Sequence, residues 1–282
     1  MTVVSVIVII AFVAFLVLSA AKFAKYSKYT THSRFELYPV PKEGKVRAEY
    51  GGSYFEDNEW WTKERKIDRT NETIDIGKEM FAIKKLFDNQ RSLWAPSMLF
   101  HGGIYVMMGW SFLMLISVIF SPGWYITITN IVGVIGFTCA TLGSAALLLR
   151  RCTDAGLRPY TTKAEYFNLT LILVTLLTGI YCWLGVISPF IVAKGIFTMT
   201  LGPVPPIVIF HLALVCVLLV YIPASKMGHY AGKFYAFRSV LWDNDPNTKG
   251  SKVEQNFRAS AAKPTTTTWS AHTPAPATDT EE

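Results

Sequence analysis

Five windows of this sequence run for about the thickness of a membrane with almost no charge: residues 3–21, 95–120, 125–149, 166–188 and 205–225. A helix rises about 1.5 Å per residue, so some 20 apolar residues cross the roughly 30 Å hydrocarbon layer of a bilayer. The composition agrees. Hydrophobic residues make up 51% and charged residues only 17%, where soluble domains carry about a quarter. The pattern predicts an all-α membrane protein, a bundle of five transmembrane helices.

The charges that remain are sorted by side. No Lys or Arg precedes the first window, and Lys22, Lys25 and Lys28 follow it, which is the reverse of a cleaved signal peptide. Taken as an uncleaved first helix with its N-terminus outside, it leaves segments 22–93, 150–163 and 226–282 inside. These hold 26 of the 27 Lys and Arg residues, and Lys194 is the one left outside. The positive-inside rule therefore predicts the N-terminus outside and the C-terminus cytoplasmic, in a multi-pass membrane protein. The net charge of +7 belongs to this flanking pattern, and nucleic acid is excluded as a partner in favour of membrane lipid.

Four regions follow: a first transmembrane helix (1–25), a cytoplasmic segment (26–93), a four-helix core (94–233) and a cytoplasmic tail (234–282). The segment 26–93 mixes both charge signs with aromatics (Tyr50, Tyr54, Phe55, Trp60, Trp61). Its end, with Ile76, Met80, Ile83 and Phe87 spaced 4-3-4, reads as one amphipathic helix laid on the membrane or on a partner. The outer connection 188–206, SPFIVAKGIFTMTLGPVPP, is too apolar for a free loop. It is expected to lie along the outer membrane surface, to cover a lipid-soluble ligand or to be buried by a partner. The tail is rich in Thr, Pro and Ala and lacks the apolar content to pack. The four cysteines form no CxxC or CxxCH, so the chain holds no iron–sulfur cluster and no covalently attached haem of its own.

The helices carry no midplane Asp, Glu, Lys or Arg, which disfavours a proton-coupled transporter. They carry histidine instead. His211 and His229 lie 18 residues apart in the stretch 204–230, which extends the fifth window; on a continuous helix that is five turns, one face and roughly 27 Å. His101 begins the second span and His229 ends the fifth, so both fall at similar depth near the inner surface, on antiparallel helices. They form a candidate bis-histidine pair for a b-type haem. Gly102, Gly103 and Gly228 remove side chains where a flat porphyrin would approach, and Lys226 and Arg91 lie where propionates could be neutralised. His211 has no histidine at its own depth, because Trp110 and Ser111 stand there. It is open between a second haem and a hydrogen bond to a quinone. His32 lies on the inner side and His272 in the tail.

With L-F-H-x-G-I at residues 99–104 and H-x11-P-x-S-[KR]-x-x-H from His211 through Pro223, Ser225 and Lys226 to His229, the chain resembles the cytochrome b (gamma) subunit of respiratory nitrate reductase. It is similar also to the membrane subunits that pair with heterodisulfide-reductase-like iron–sulfur proteins, which the long inner segment suits better. The resemblance covers residues 95–230 and, more loosely, the first helix. It implies one haem b on His101 and His229. The residue matching His211 ligates an outer haem in the family, but its second ligand aligns with Ser111 here, so a second haem stays open.

The resemblance implies an electron-transfer subunit of a quinone-linked oxidoreductase complex in anaerobic respiration. Electrons would pass between menaquinone or menaquinol, near Gly109, Trp110, Ser111 and His211, and a cytoplasmic iron–sulfur subunit, with further membrane or extracytoplasmic cytochrome subunits as possible partners. The alternative is a haem-free membrane anchor or quinone-binding scaffold for a soluble redox subunit.

Overall fold

The structure is a computed structural model that describes residues 2–28, 40–44, 53–64, 66–243, 245 and 248–262. Every regular element among them is helical: α1 Thr2–Ser27, α2 Arg69–Phe81, α3 Lys84–Asn89, α4 Arg91–Ser117, α5 Gly123–Thr153, α6 Lys163–Gly185, α7 Pro189–Phe197, α8 Pro206–Ala224, α9 His229–Tyr235 and α10 Lys252–Ala261. Short 3-10 turns and one π segment, Ala236–Leu241, join them. Helices α1, α4, α5, α6 and α8 are long and apolar enough to cross a membrane, which agrees with the five windows. His32, His272, Tyr50 and the tail beyond residue 262 lie outside the described residues. The chain divides into two compact units, one of residues up to Ala24 with Gly77–Ala231, the other of Lys25–Ile76 with the residues from Gly232 onward.

The first unit is the bundle. Backbone packing runs in series from α4 to α5, α5 to α6 and α6 to α8. The α4–α5 crossing is made by small residues. A Cβ on Gly103 would lie 2.7 Å from the Ala140 Cα, and one on Gly143 would lie 2.5 Å from the Phe100 Cα. Such contact of backbone on backbone is how helices associate where lipid removes the hydrophobic driving force between them. Polar side chains tie the helix ends. The Arg150 guanidinium donates to the Ser92 carbonyl, the Tyr166 hydroxyl to Arg151 O (2.7 Å) and the Tyr221 hydroxyl to Asn168 Oδ1 (2.9 Å). Thr162 and Glu165 form a capping box that starts α6.

The apolar connection between α6 and α8 folds into α7. Its end turns back sharply, with the Thr200 and Leu201 amides both donating to Gly195 O at 2.9 Å and Met199 in the left-handed region at φ 58°. Ile196 and Leu201 bury against Cys182, Val208 and Leu212, with Val4 and Val8 of α1 alongside. That burial is the reason this connection carries so little charge.

Two expected continuous helices are broken. The amphipathic helix spanning Ile76, Met80, Ile83 and Phe87 is instead α2 and α3, separated at Ala82 and Ile83, where Ile83 has φ 51°. Polar side chains stabilise the break. The Glu79 carboxylate accepts from the Lys85 amide (3.1 Å), while Trp94 Nε1 and the Tyr105 hydroxyl donate to Ala82 O (2.8 Å) and Met80 O (2.7 Å). Likewise the fifth span does not run unbroken from residue 204 to 230. It ends at Ala224, and a 3-10 turn, Lys226–Gly228, intervenes before α9. The five-turn phase relation between His211 and His229 therefore does not hold.

The second unit is built on Val40, Phe237 and Trp242, with Ile76 and Leu241 packed against them. Inside it, Lys42 is only 6% exposed. Its ammonium lies 3.7 Å from Glu72 and 3.9 Å from Asp243 and donates to Arg238 O at 3.2 Å. Tyr54, Phe55, Trp60 and Trp61 form an aromatic cluster beside it in sequence.

Candidate haem and quinone site

The structure brings His101 and His229 together. Their ring centroids are 6.0 Å apart and the planes meet at 83°. A metal–imidazole bond is about 2.0–2.1 Å and a ring nitrogen lies about 1.1 Å from its centroid, so two imidazoles on opposite sides of one ion need a separation of about 6.3 Å. The observed pair matches that spacing. His101 Nδ1 is 2.7 Å from Ser97 O, one turn earlier in α4. A carbonyl can only accept, so Nδ1 carries the proton, and Nε2 is the ring nitrogen that could ligate a metal. The separation and the His101 tautomer are compatible with a haem iron, which His101 and His229 would hold.

The break after α8 sets where His229 stands. Pro223 lacks an amide hydrogen, and after Ala224 the chain leaves the helix at Ser225 (φ −105°, ψ −172°). The Ser225 hydroxyl then accepts from the Met227 amide at 3.1 Å and caps the following turn. His229 is the first residue of the new helix. The P-x-S-[KR]-x-x-H spacing is therefore a stop, a cap and a restart.

His211, on α8, is seated against α6. Its Nδ1 is 3.0 Å from the Thr178 hydroxyl, which itself donates to Thr175 O at 3.0 Å. A hydroxyl has one proton, so with that proton on Thr175 O it accepts from Nδ1–H, and His211 Nε2 is left as the acceptor. Gly179 makes the seat: a Cβ there would lie 2.9 Å from His211 Cε1 and 3.1 Å from Phe137 Cε1. Phe137 belongs to an aromatic cluster with Trp110 (5.5 Å) and Trp183 (5.7 Å), and the two indoles stack at 5.8 Å. The Trp110 indole N–H is buried without a hydrogen-bond acceptor.

The other predicted residues divide. Trp110 is in this cluster, one aromatic ring away from the His211 seat. Ser111 is exposed and its hydroxyl donates to Met107 O within its own helix, 2.9 Å away. Nothing outside its own helix lies within 4 Å of the Cβ position of Gly109, so that position is open. Lys226 is exposed on the 3-10 turn before His229, and Arg91 is exposed at the start of α4. Of the three glycines expected to admit a porphyrin, Gly103 serves the α4–α5 contact, and Gly228 faces Lys22 and the Pro223 carbonyl. Only Gly102 is comparatively open, with Met98 Cε at 3.7 Å. Thr178 and Gly179 were not singled out by the sequence, although a Thr-Gly pair inside an apolar span was a readable sign of close approach.

Comparison with known protein families, with curated proteins and with solved structures finds no match.

Proposed function

We propose that this chain is the haem b membrane subunit of a respiratory electron-transfer complex, exchanging electrons between menaquinone or menaquinol and a cytoplasmic iron–sulfur subunit. The observation that carries the reading is the His101–His229 pair, at 6.0 Å and with Nδ1 of His101 committed to a carbonyl. When bound, a b-type haem supplies a one-electron carrier at that depth. The chain's own part would be to hold the His101 and His229 imidazoles at ligating distance, His101 half-buried and His229 exposed. Charge sorting puts the pair near the cytoplasmic surface, where an iron–sulfur partner would dock.

Towards the other end, His211 offers Nε2 as a proton acceptor or hydrogen-bond partner for a quinone oxygen, with Thr178 fixing the ring. The Trp110–Phe137–Trp183 cluster beside it supplies flat apolar surface. A second haem on His211 has no histidine opposite it among the described residues, so quinone is the favoured occupant there.

The test is a reduced-minus-oxidised absorption spectrum of the purified protein, with haem quantified per chain. The expected result is one b-type haem that is lost in His101→Ala and His229→Ala and retained in His211→Ala. Absence of a b-type band would instead support a haem-free anchor for a soluble redox subunit.

A further inference from the structure

The lysines after the first span read in the sequence as ordinary flanking charge, but in the structure Lys22 stands apart from Lys25 and Lys28. The latter two are exposed. Lys22 turns inward, and its ammonium donates to Pro223 O and Ser225 O, both at 2.9 Å. These two carbonyls belong to the break between α8 and the His229 helix. The last carbonyls of a helix lack intrahelical donors and form the negative end of its dipole; Pro223 O is one of them, and Ser225 O, in the break itself, also accepts from the Gly228 amide at 3.2 Å. A cation placed there makes charge-assisted hydrogen bonds, the stronger kind.

Two further contacts come from the same face of α1. Ser19 Oγ is 2.7 Å from the Tyr230 hydroxyl, and the Phe23 ring centroid is 5.8 Å from that of Tyr230. Ser19, Lys22 and Phe23 have i, i+3, i+4 spacing, so they lie together on one helix face. They engage the residues on either side of His229. Gly228 completes the arrangement, because a Cβ there would lie 2.5 Å from Lys22 Nζ and 3.1 Å from Pro223 O. The glycine beside the histidine makes room for the ammonium.

We propose that α1 is a brace for the haem ligand, with Lys22 as a positioning residue that holds the Ser225–Gly228 break and thereby sets the orientation of His229. The haem part rests on the function proposed above; the brace itself does not. Lys22 places its hydrogen bonds on the carbonyls of the break and acts through them.

The test uses the full chain in detergent or nanodiscs with Lys22→Met, which removes the ammonium, and Gly228→Ala, which fills its place from the opposite side. Lys25→Met is the control. The first readout is amide hydrogen exchange. Residues 225–231 are expected to exchange at least about tenfold faster in both variants, while α5 and α6 stay unchanged. The second is the low-spin ferric haem signal in electron paramagnetic resonance, expected to shift in both variants because the ligand's ring orientation changes. Lys22→Cys treated with 2-bromoethylamine, which rebuilds an ammonium of lysine length, is expected to restore both readouts, with treated wild type as reference. Exchange within twofold of wild type in Lys22→Met overturns the brace. Faster exchange with an unshifted haem signal overturns the positioning role. A protein without haem refutes the proposed function, and the exchange data still decide the brace.

Discussion

Adding one methyl group at the α4–α5 crossing tests the tightest packing in the bundle. In Gly143→Ala the new Cβ would lie 2.5 Å from the Phe100 Cα and 2.8 Å from its Cβ. Favourable carbon contacts lie at about 3.5–4.0 Å, so the helices must part by about 1 Å. Backbone atoms form the obstruction, so no side-chain rotation relieves it. Overpacking of this kind costs about 1–3 kcal/mol, and the helix propensity of alanine returns about 1 kcal/mol. The net expectation is a loss of about 1–2 kcal/mol, a fall of a few degrees in Tm. Gly103→Ala meets the same obstacle from the other helix, against Ala140 and Cys139. Once the helices have separated for one methyl, the second fits at little further cost. The double variant is therefore expected to lose about 1 kcal/mol less than the sum of the singles. Thermal unfolding in detergent, followed with a fluorogenic thiol reagent after the exposed Cys152 has been blocked, so that the signal reports the buried Cys182 and the half-buried Cys139 and Cys216, measures all three. Gly109→Ala, on the same helix with open space around it, should be neutral or slightly stabilising. A wild-type Tm for Gly143→Ala, or full additivity in the double variant, would refute the close approach.

Other outcomes follow from single contacts. Lys42→Met removes the cation that Glu72 and Asp243 share, while Arg69 still pairs with Glu72 at 3.0 Å, so the loss is expected below the about 3–5 kcal/mol of a fully broken buried pair; limited proteolysis should cut the second unit in conditions where the wild type resists. Met199→Gly removes a left-handed methionine that is 42% exposed; the left-handed conformation costs about 1–2 kcal/mol, so Tm should rise, and a fall would mean that the side chain contributes more than its backbone strain.

The five spans were legible because their signal is local. A long uncharged apolar run has few other uses, and the observed helices begin and end within a few residues of the windows. The pairing of His101 with His229 was legible for a related reason: depth along a span follows from counting residues from its charged end. The fit at His211 was not. It depends on Thr178 and Gly179 on α6, and nothing in the spacing of α8 says which neighbour will face it. The glycines beside the histidines misled for the same reason. Gly103 and Gly228 were read against an imagined ligand, but the space they leave is taken by the α5 backbone and by Lys22.

What the sequence determined by itself is therefore what one segment can decide alone: which residues are helical, which stretches suit a membrane, and how far from a span's end each histidine lies. What only the tertiary structure decided depends on contacts distant in the chain. The break at Ser225 is visible as Pro and Ser, yet its geometry is closed by Lys22, some 200 residues away. The break at Ile83 is likewise closed by Glu79, Trp94 and Tyr105. Local chemistry marks where a helix can stop. Whether it stops, and where the next residue points, depends on which distant donor or acceptor takes up the backbone groups it releases.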